Sequence, residues 1–140
     1  MKSLPIISGI CLLLFSACNS NDTNATSEND VDAARNFIRA ALDGQYKEAQ
    51  NLIVTDSVNQ QYLDAFATNY RERMSGEDKR GYREASINIH DIHTINDSVT
   101  IVHYSNSYKK TQDSLKVVRQ NNNWLIDLKY SFSAADSTQR

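Results

Sequence analysis

The chain has 140 residues, with 15 Lys and Arg against 17 Asp and Glu and a formal net charge of −2. That length holds one domain of ordinary size and no second core. The slightly acidic balance leaves no basic face for nucleic-acid phosphates and no polybasic patch for lipid headgroups, so no nucleic-acid partner is expected. Both cysteines, Cys11 and Cys18, lie near the N-terminus, so the rest of the chain offers no thiol nucleophile, thiolate metal site or disulfide.

Lys2 precedes an almost wholly apolar run, Leu4 to Phe15 (LPIISGICLLLF), followed by the small residues Ser16 and Ala17. The run falls far short of the ~20 residues a helix needs to cross the hydrocarbon layer, so it predicts the core of a secretion signal. Phe15-Ser16-Ala17-Cys18 resembles a lipobox, the motif read by bacterial lipoprotein signal peptidase, with Phe where Leu or Val is usual. The resemblance implies that residues 1–17 are removed and that a diacylglyceryl group on the Cys18 sulfur anchors the remainder to a membrane, a hold that two or more acyl chains make essentially permanent. Asn19 after the cysteine, rather than Asp, implies the outer membrane of a two-membrane cell, facing the periplasm or the surface. Residues 18–29 read as a flexible tether, with Ala25 the one apolar side chain from Asn19 onward.

From Asp30, Val31, Ala34, Phe37, Ile38, Ala41 and Leu42 recur at three- and four-residue steps, which predicts an amphipathic helix. Ser27 and Asp30 read as its capping pair and Gly44 as its stop. A short second helix carries Tyr46, Ala49 and Ile53 on one face. Thr55, Asp56 and Ser57 offer caps for a third, whose inner side is Val58, Tyr62, Ala65, Phe66, Asn69 and Tyr70 and which Ser75-Gly76 ends. The charged stretch Glu77 to Arg80 reads as a solvated loop. After Gly81 the period changes to two. Turn clusters at Asn96-Asp97, Lys109 to Gln112 and Asn121 to Asn123 mark strands near 83–95, 98–108, 113–120 and 123–132. Helices followed by an antiparallel meander predict an α+β domain over 30–132, with helices packed on one face of a four-stranded sheet, and 133–140 as a disordered tail.

Two-residue turns at Asn96-Asp97 and Asn121-Asn122, with Tyr108 taken opposite Asp113, fix a register. It sets Ile89 opposite Tyr104, Asp91 opposite Val102, Val117 beside Tyr104, Arg119 beside Val102 and Ile126 beside Val117. One face then reads Ile87, Ile89, Val102, Tyr104, Leu115, Val117, Trp124, Ile126, Leu128 and Tyr130, and belongs under the helices. The other reads Asn88, His90, His103, Ser105, Lys116, Asp127 and Lys129, with Ile92, Ile101, Val118 and Leu125 on the same side.

The first helix with Phe37 near its middle, the Gly44-Gln45-Tyr46-Lys47-Glu48-Ala49 step and the closing Asn123-Trp124-Leu125-Ile126-Asp127 resemble small lipoproteins of Bacteroidetes-type bacteria. Their domain, of unknown function, belongs to the cystatin-like superfamily of nuclear transport factor two, ketosteroid isomerase and the SnoaL cyclases. The similarity spans roughly Asp30 to Phe132, and its motifs mark a fold and no reaction. It implies a curved sheet with helices closing over its concave face, forming a cone that holds a ligand in some relatives, and dimers through the sheet in others. Acceptors of O-glycosylation in such bacteria resemble Asp, then Ser or Thr, then an aliphatic residue or Thr, a pattern met at Ser57, Ser98, Ser114 and Ser137.

No glycine-rich phosphate cradle, G-x-S-x-G elbow or H-E-x-x-H helix is present. His90 and His93 point to opposite faces of a regular strand, whereas His90 and His103 pair directly across the first hairpin, about 5 Å apart, as two ligands of Zn²⁺ would. No third ligand is evident among Asn88, Ser105 and Asp127, so neither metal nor cofactor is expected. Asp127 stands where the base of ketosteroid isomerase relatives invites comparison, but its register makes it the ion-pair partner of Lys116. On the inner face Asp91, His93, Tyr104 and Arg119 lie among apolar residues, with Asp91 and Arg119 flanking Val102. These are the candidate ligand-binding residues, against the alternative of a solvated rim. The expectation is a lipid-anchored, non-enzymatic binding or accessory module with a small-molecule or protein partner at the cone mouth or the outer sheet face. Two rivals remain: a hydrolase or isomerase with Asp91 or His93 as base, and a structural homodimer joined through Ile92, Ile101, Val118 and Leu125.

Overall fold

Asn29 starts the first helix. In the computed structural model, which describes residues 27–131, its side chain accepts from the Asp32 amide at 2.9 Å and donates to the Asp32 carboxylate at 2.9 Å. This is the reciprocal capping expected of Ser27 and Asp30, moved to the residues whose spacing suits it. Asp30 instead accepts from the hydroxyl of the buried Thr100 at 2.5 Å, which pins the helix start to the sheet. Helix α1 (Asp30–Asp43) ends, as expected, at Gly44 in the left-handed region with φ 75°. Any Cβ there would collide with the Tyr70 ring.

Helices α2 (Tyr46–Gln50) and α3 (Ser57–Thr68) follow. Asp56 caps α3 by accepting from the Asn59 amide at 2.8 Å. The buried side of α3 is Asn59, Leu63 and Ala67, while Val58 and Phe66 are exposed. The sequence expectation put Val58 and Phe66 inside, one residue before Asn59 and one before Ala67. Asn59 is tolerated in the core because its amide is fully used: it accepts from the Leu128 amide at 2.7 Å and donates to Asp56 and Asp127 at 2.9 and 3.4 Å. The helix widens into a π-helical turn over Asn69–Arg73 before Met74 leaves it.

The stretch read as a solvated loop is a helix, α4 (Gly76–Glu84). Ser75 caps it at the Asp78 amide, 3.0 Å. Arg39 of α1 closes its other end, donating to the carbonyls of Tyr82 at 3.1 Å and Ala85 at 2.9 Å while it pairs with Asp43 at 2.8 Å. Helix-end carbonyls with no partner inside the helix are thus satisfied by a neighbouring guanidinium.

Strands β1 (Ile87–Asn96), β2 (Val99–Asn106), β3 (Gln112–Gln120) and β4 (Asn123–Asp127) form one antiparallel sheet in sequence order. The domain is α+β, as expected. The β3–β4 register is the expected one, with Val117 opposite Ile126 and Lys116 opposite Asp127, closed by Asn121 and Asn122 at φ 48° and 67°. Two consecutive positive φ values define a type I′ turn, whose twist matches that of the flanking strands.

The other two hairpins differ from expectation. In β1–β2 the turn is Asp97-Ser98, and Ile89 stands opposite Tyr104 as expected, but a bulge at His90 then sets Asp91 opposite His103 and Ile92 opposite Val102. One inserted residue turns every following side chain to the other face. In β2–β3 the strands slide by four residues, so Tyr104 faces Asp113, Val102 faces Leu115 and Thr100 faces Val117. Asn106 drives this by accepting from the amides of Tyr108 and Lys109 at 3.1 and 2.9 Å, and Lys110 turns the chain at φ 60°. Tyr108 leaves the sheet to pack edge-to-face with Tyr82, donating its hydroxyl to Asp78 at 2.8 Å.

Between helices and sheet the core contains Phe37, Ile38, Ala49, Ile53, Leu63, Val102, Leu115, Val117, Ile126 and Leu128. Ile53 also adds a parallel bridge to Ile126 beside β4. The chain after β4 turns helical at Leu128, so the fourth strand is shorter than expected and Tyr130 is not part of the inner face.

Candidate functional site

The four residues expected to share an inner pocket are distributed over two faces. The His90 bulge carries Asp91 and His93 to the outer face, opposite His103 and Ile101. Tyr104 stays on the inner face, and burial pushes its hydroxyl well above the usual tyrosine range, helped by the Asp113 charge beside it at 3.4 Å. Arg119 is also on the inner side but lies six residues along β3 from Asp113, roughly 20 Å at strand rise. There it stacks on Trp124 at 5.7 Å and donates to Asn122 at 2.7 Å. Asp91 and Arg119 do not flank Val102, because Ile92 and Leu115 do.

The outer-face apolar patch expected from Ile92, Ile101, Val118 and Leu125 does not form as one exposed surface. Ile92 has moved to the helix side of the sheet, Ile101 is 6 % exposed, and Val118 and Leu125 are half-buried. Cys18, expected to carry lipid, lies outside the described residues, as do the leader, most of the tether and the tail.

All three histidines meet on the outer face. His90 Nε2 is 2.8 Å from Ser105 Oγ and His103 Nδ1 is 2.7 Å from Ser114 Oγ, so the expected His90–His103 pair is replaced by two imidazole–hydroxyl pairs. Among the described residues no three His, Asp or Glu side chains converge in a way that would hold a metal. Asp127 is held beside Lys116 at 3.8 Å and Lys129 at 3.6 Å. Lys129 also reaches Asp56 at 2.7 Å. The Asn59 amide and the Lys129 ammonium together hold the Asp56 carboxyl well below the usual carboxylate range.

Next to the histidines the sheet surface dips into an open hollow of about 340 Å³. Val99, Ile101, Ile95 and Tyr130 give it apolar walls, and His93, His103 and Lys116 give it hydrogen-bonding groups. Three features of the chain build it. The bulge turns His93 outward, the irregularity at Ile95 leaves that side chain 53 % exposed, and the helical turn after β4 swings Tyr130 over β3. The Ser131 hydroxyl donates to the Ser114 carbonyl at 2.6 Å, which fastens that turn against the outer face. Alternation along β2 foretold Ile101 and His103 on this side. Nothing in the sequence signals the bulge, and the alternating pattern puts Tyr130 on the inner face because it does not show that β4 ends at Asp127. Compared with family models, curated proteins and solved structures, the chain matches none.

Proposed function

We propose that this chain is an envelope lipoprotein, anchored through lipid on Cys18, whose domain is a non-enzymatic binding module with its ligand site on the outer sheet face. The observation that carries the binding role is the hollow beside Ile101: apolar walls with three convergent nitrogen-bearing groups, at the small end of the size range of ligand pockets. The arrangement suits a small amphipathic molecule whose apolar part lies along Ile95, Val99 and Ile101 and whose polar end meets His93, His103 and Lys116.

The order of helices and strands, with α1 packed across all four strands, supports the cone fold of the nuclear-transport-factor-two and SnoaL superfamily. In this reading the ligand site has moved from inside the cone to the far side of its sheet. A hydrolytic alternative would use Ser114, His103 and Asp91, which share one cross-strand row. It is the weaker reading: among the described residues no hydrogen bond joins Asp91 to His103, and the Ser114 amide is occupied by the Asp113 carboxylate at 2.7 Å, so it is not available to stabilise an oxyanion.

Two experiments test the proposal. Cys18→Ala moves the protein from the membrane fraction to the soluble one, and a variant that stays with the membrane rejects the anchor. Thermal melts of the chain with amphipathic carboxylates show a stabilisation that Ile95→Asp abolishes, and an equal shift in that variant rejects the site.

A further inference from the structure

Strand β1 is an edge of the sheet, and from Asp91 to Asn96 every residue of it is exposed. Sheets in soluble proteins blunt such edges with charged side chains, Pro, bulges or a covering segment. The run between the two irregularities of β1, Asp91-Ile92-His93-Thr94, is itself regular, has no Lys or Pro and has Asp91 as its one carboxylate, and among the described residues no strand pairs with its free side. Ile92 presents an apolar side chain that is 45 % exposed. Asp91 and His93 have no side-chain partner among the described residues.

We infer that this edge pairs with β1 of a second copy of the chain, antiparallel about a two-fold axis at Ile92, joining two four-stranded sheets into one. The register follows from symmetry. A two-fold axis perpendicular to the sheet makes the interface self-complementary and places facing residues on the same side. Centred on Ile92, each isoleucine meets its own copy on the helix side. On the outer side Asp91 meets His93 of the second copy, twice over, as a carboxylate facing an imidazole. Sliding the axis by one residue either sets Asp91 against Asp91, where opposed like charges destabilise a strand pair, or sets His93 against His93 and leaves Asp91 without its imidazole. The contact brings Asp91 of the second copy to the rim of the hollow at His93 and does not depend on any ligand there.

Disulfide trapping in the full chain tests this. Residues on the axis face each other at about 4.5–5.5 Å between Cα atoms, within disulfide reach. Two residues from the axis, like positions stand about 14 Å apart along the strands and cannot cross-link. Ile92→Cys under mild oxidation therefore gives a cross-linked dimer at least tenfold above the parent chain, whose own Cys11 and Cys18 set the background, while Thr94→Cys stays at that background. Adding Asp91→Lys to Ile92→Cys lowers the cross-link at least fivefold, and adding His93→Asp to that pair restores it to within twofold. A background-level cross-link at 92, equal cross-linking at 94, or a charge exchange that fails to restore the dimer overturns the inference.

Discussion

Asn59 lets the helix layer hold the end of the sheet through the Leu128 amide. Asn59→Leu would fill the same space and leave that buried N–H without its acceptor. Its expected cost is about 1–3 kcal/mol, read from urea denaturation. Gly44→Ala carries the left-handed strain and a clash with Tyr70, and is expected to cost about 1–3 kcal/mol in the same experiment. The carboxyl of Asp56, next to Asn59, titrates lower in the folded chain than in the unfolded one. A depressed carboxyl adds stability that is present above the unfolded value near ~4 and is lost as pH falls below it. Asp56→Asn, which keeps a capping side chain, should therefore lose less stability than the parent when melts at pH 6 are compared with melts at pH 3. By contrast, Asp91→Ala and Arg119→Ala are each expected to shift stability by less than ~1 kcal/mol, because both side chains are exposed.

At the scale of elements, what could be read from the sequence was what local chemistry decides. Gly44 stops α1, Asp56 caps α3, and Asn121-Asn122 closes the β3–β4 hairpin, each by a short-range requirement of the backbone. The errors came where a tertiary contact overrode pattern. Helix α4 has no buried residue and so no apolar stripe, and is held by Ser75 at one end and by Arg39 at the other. Arg39→Ala should raise amide hydrogen exchange in α4 well above that in α1, while unchanged exchange would mean that α4 is stable without this clasp. The face of α3 was misjudged because a buried asparagine looks like a surface residue until its partners are known. The expected inner pocket depended on two register choices. A bulge that no residue type announces and a β2–β3 loop shaped by Asn106 changed both. Even-numbered sliding of β3 preserved its faces, which is why the apolar core on β2, β3 and β4 was still foreseen.

For the molecule as a whole, these shifts relocate the chemistry. The helix-facing side of the sheet is occupied by Val102, Leu115, Val117 and Ile126, while the histidines and the hollow lie on the other side. In the proposed function the helices are a backing, and the open sheet face and the β1 edge are the surfaces offered to partners. The central claim is that this outer face binds the ligand. Amide chemical-shift mapping by NMR with dodecanoate as the probe tests it most directly. The account predicts saturable shifts centred on His93, Ile95, Val99, Ile101, His103, Lys116 and Tyr130. Shifts centred on Tyr104, Asp113 and Trp124 at the inner face, or no saturable shifts at all, would contradict it.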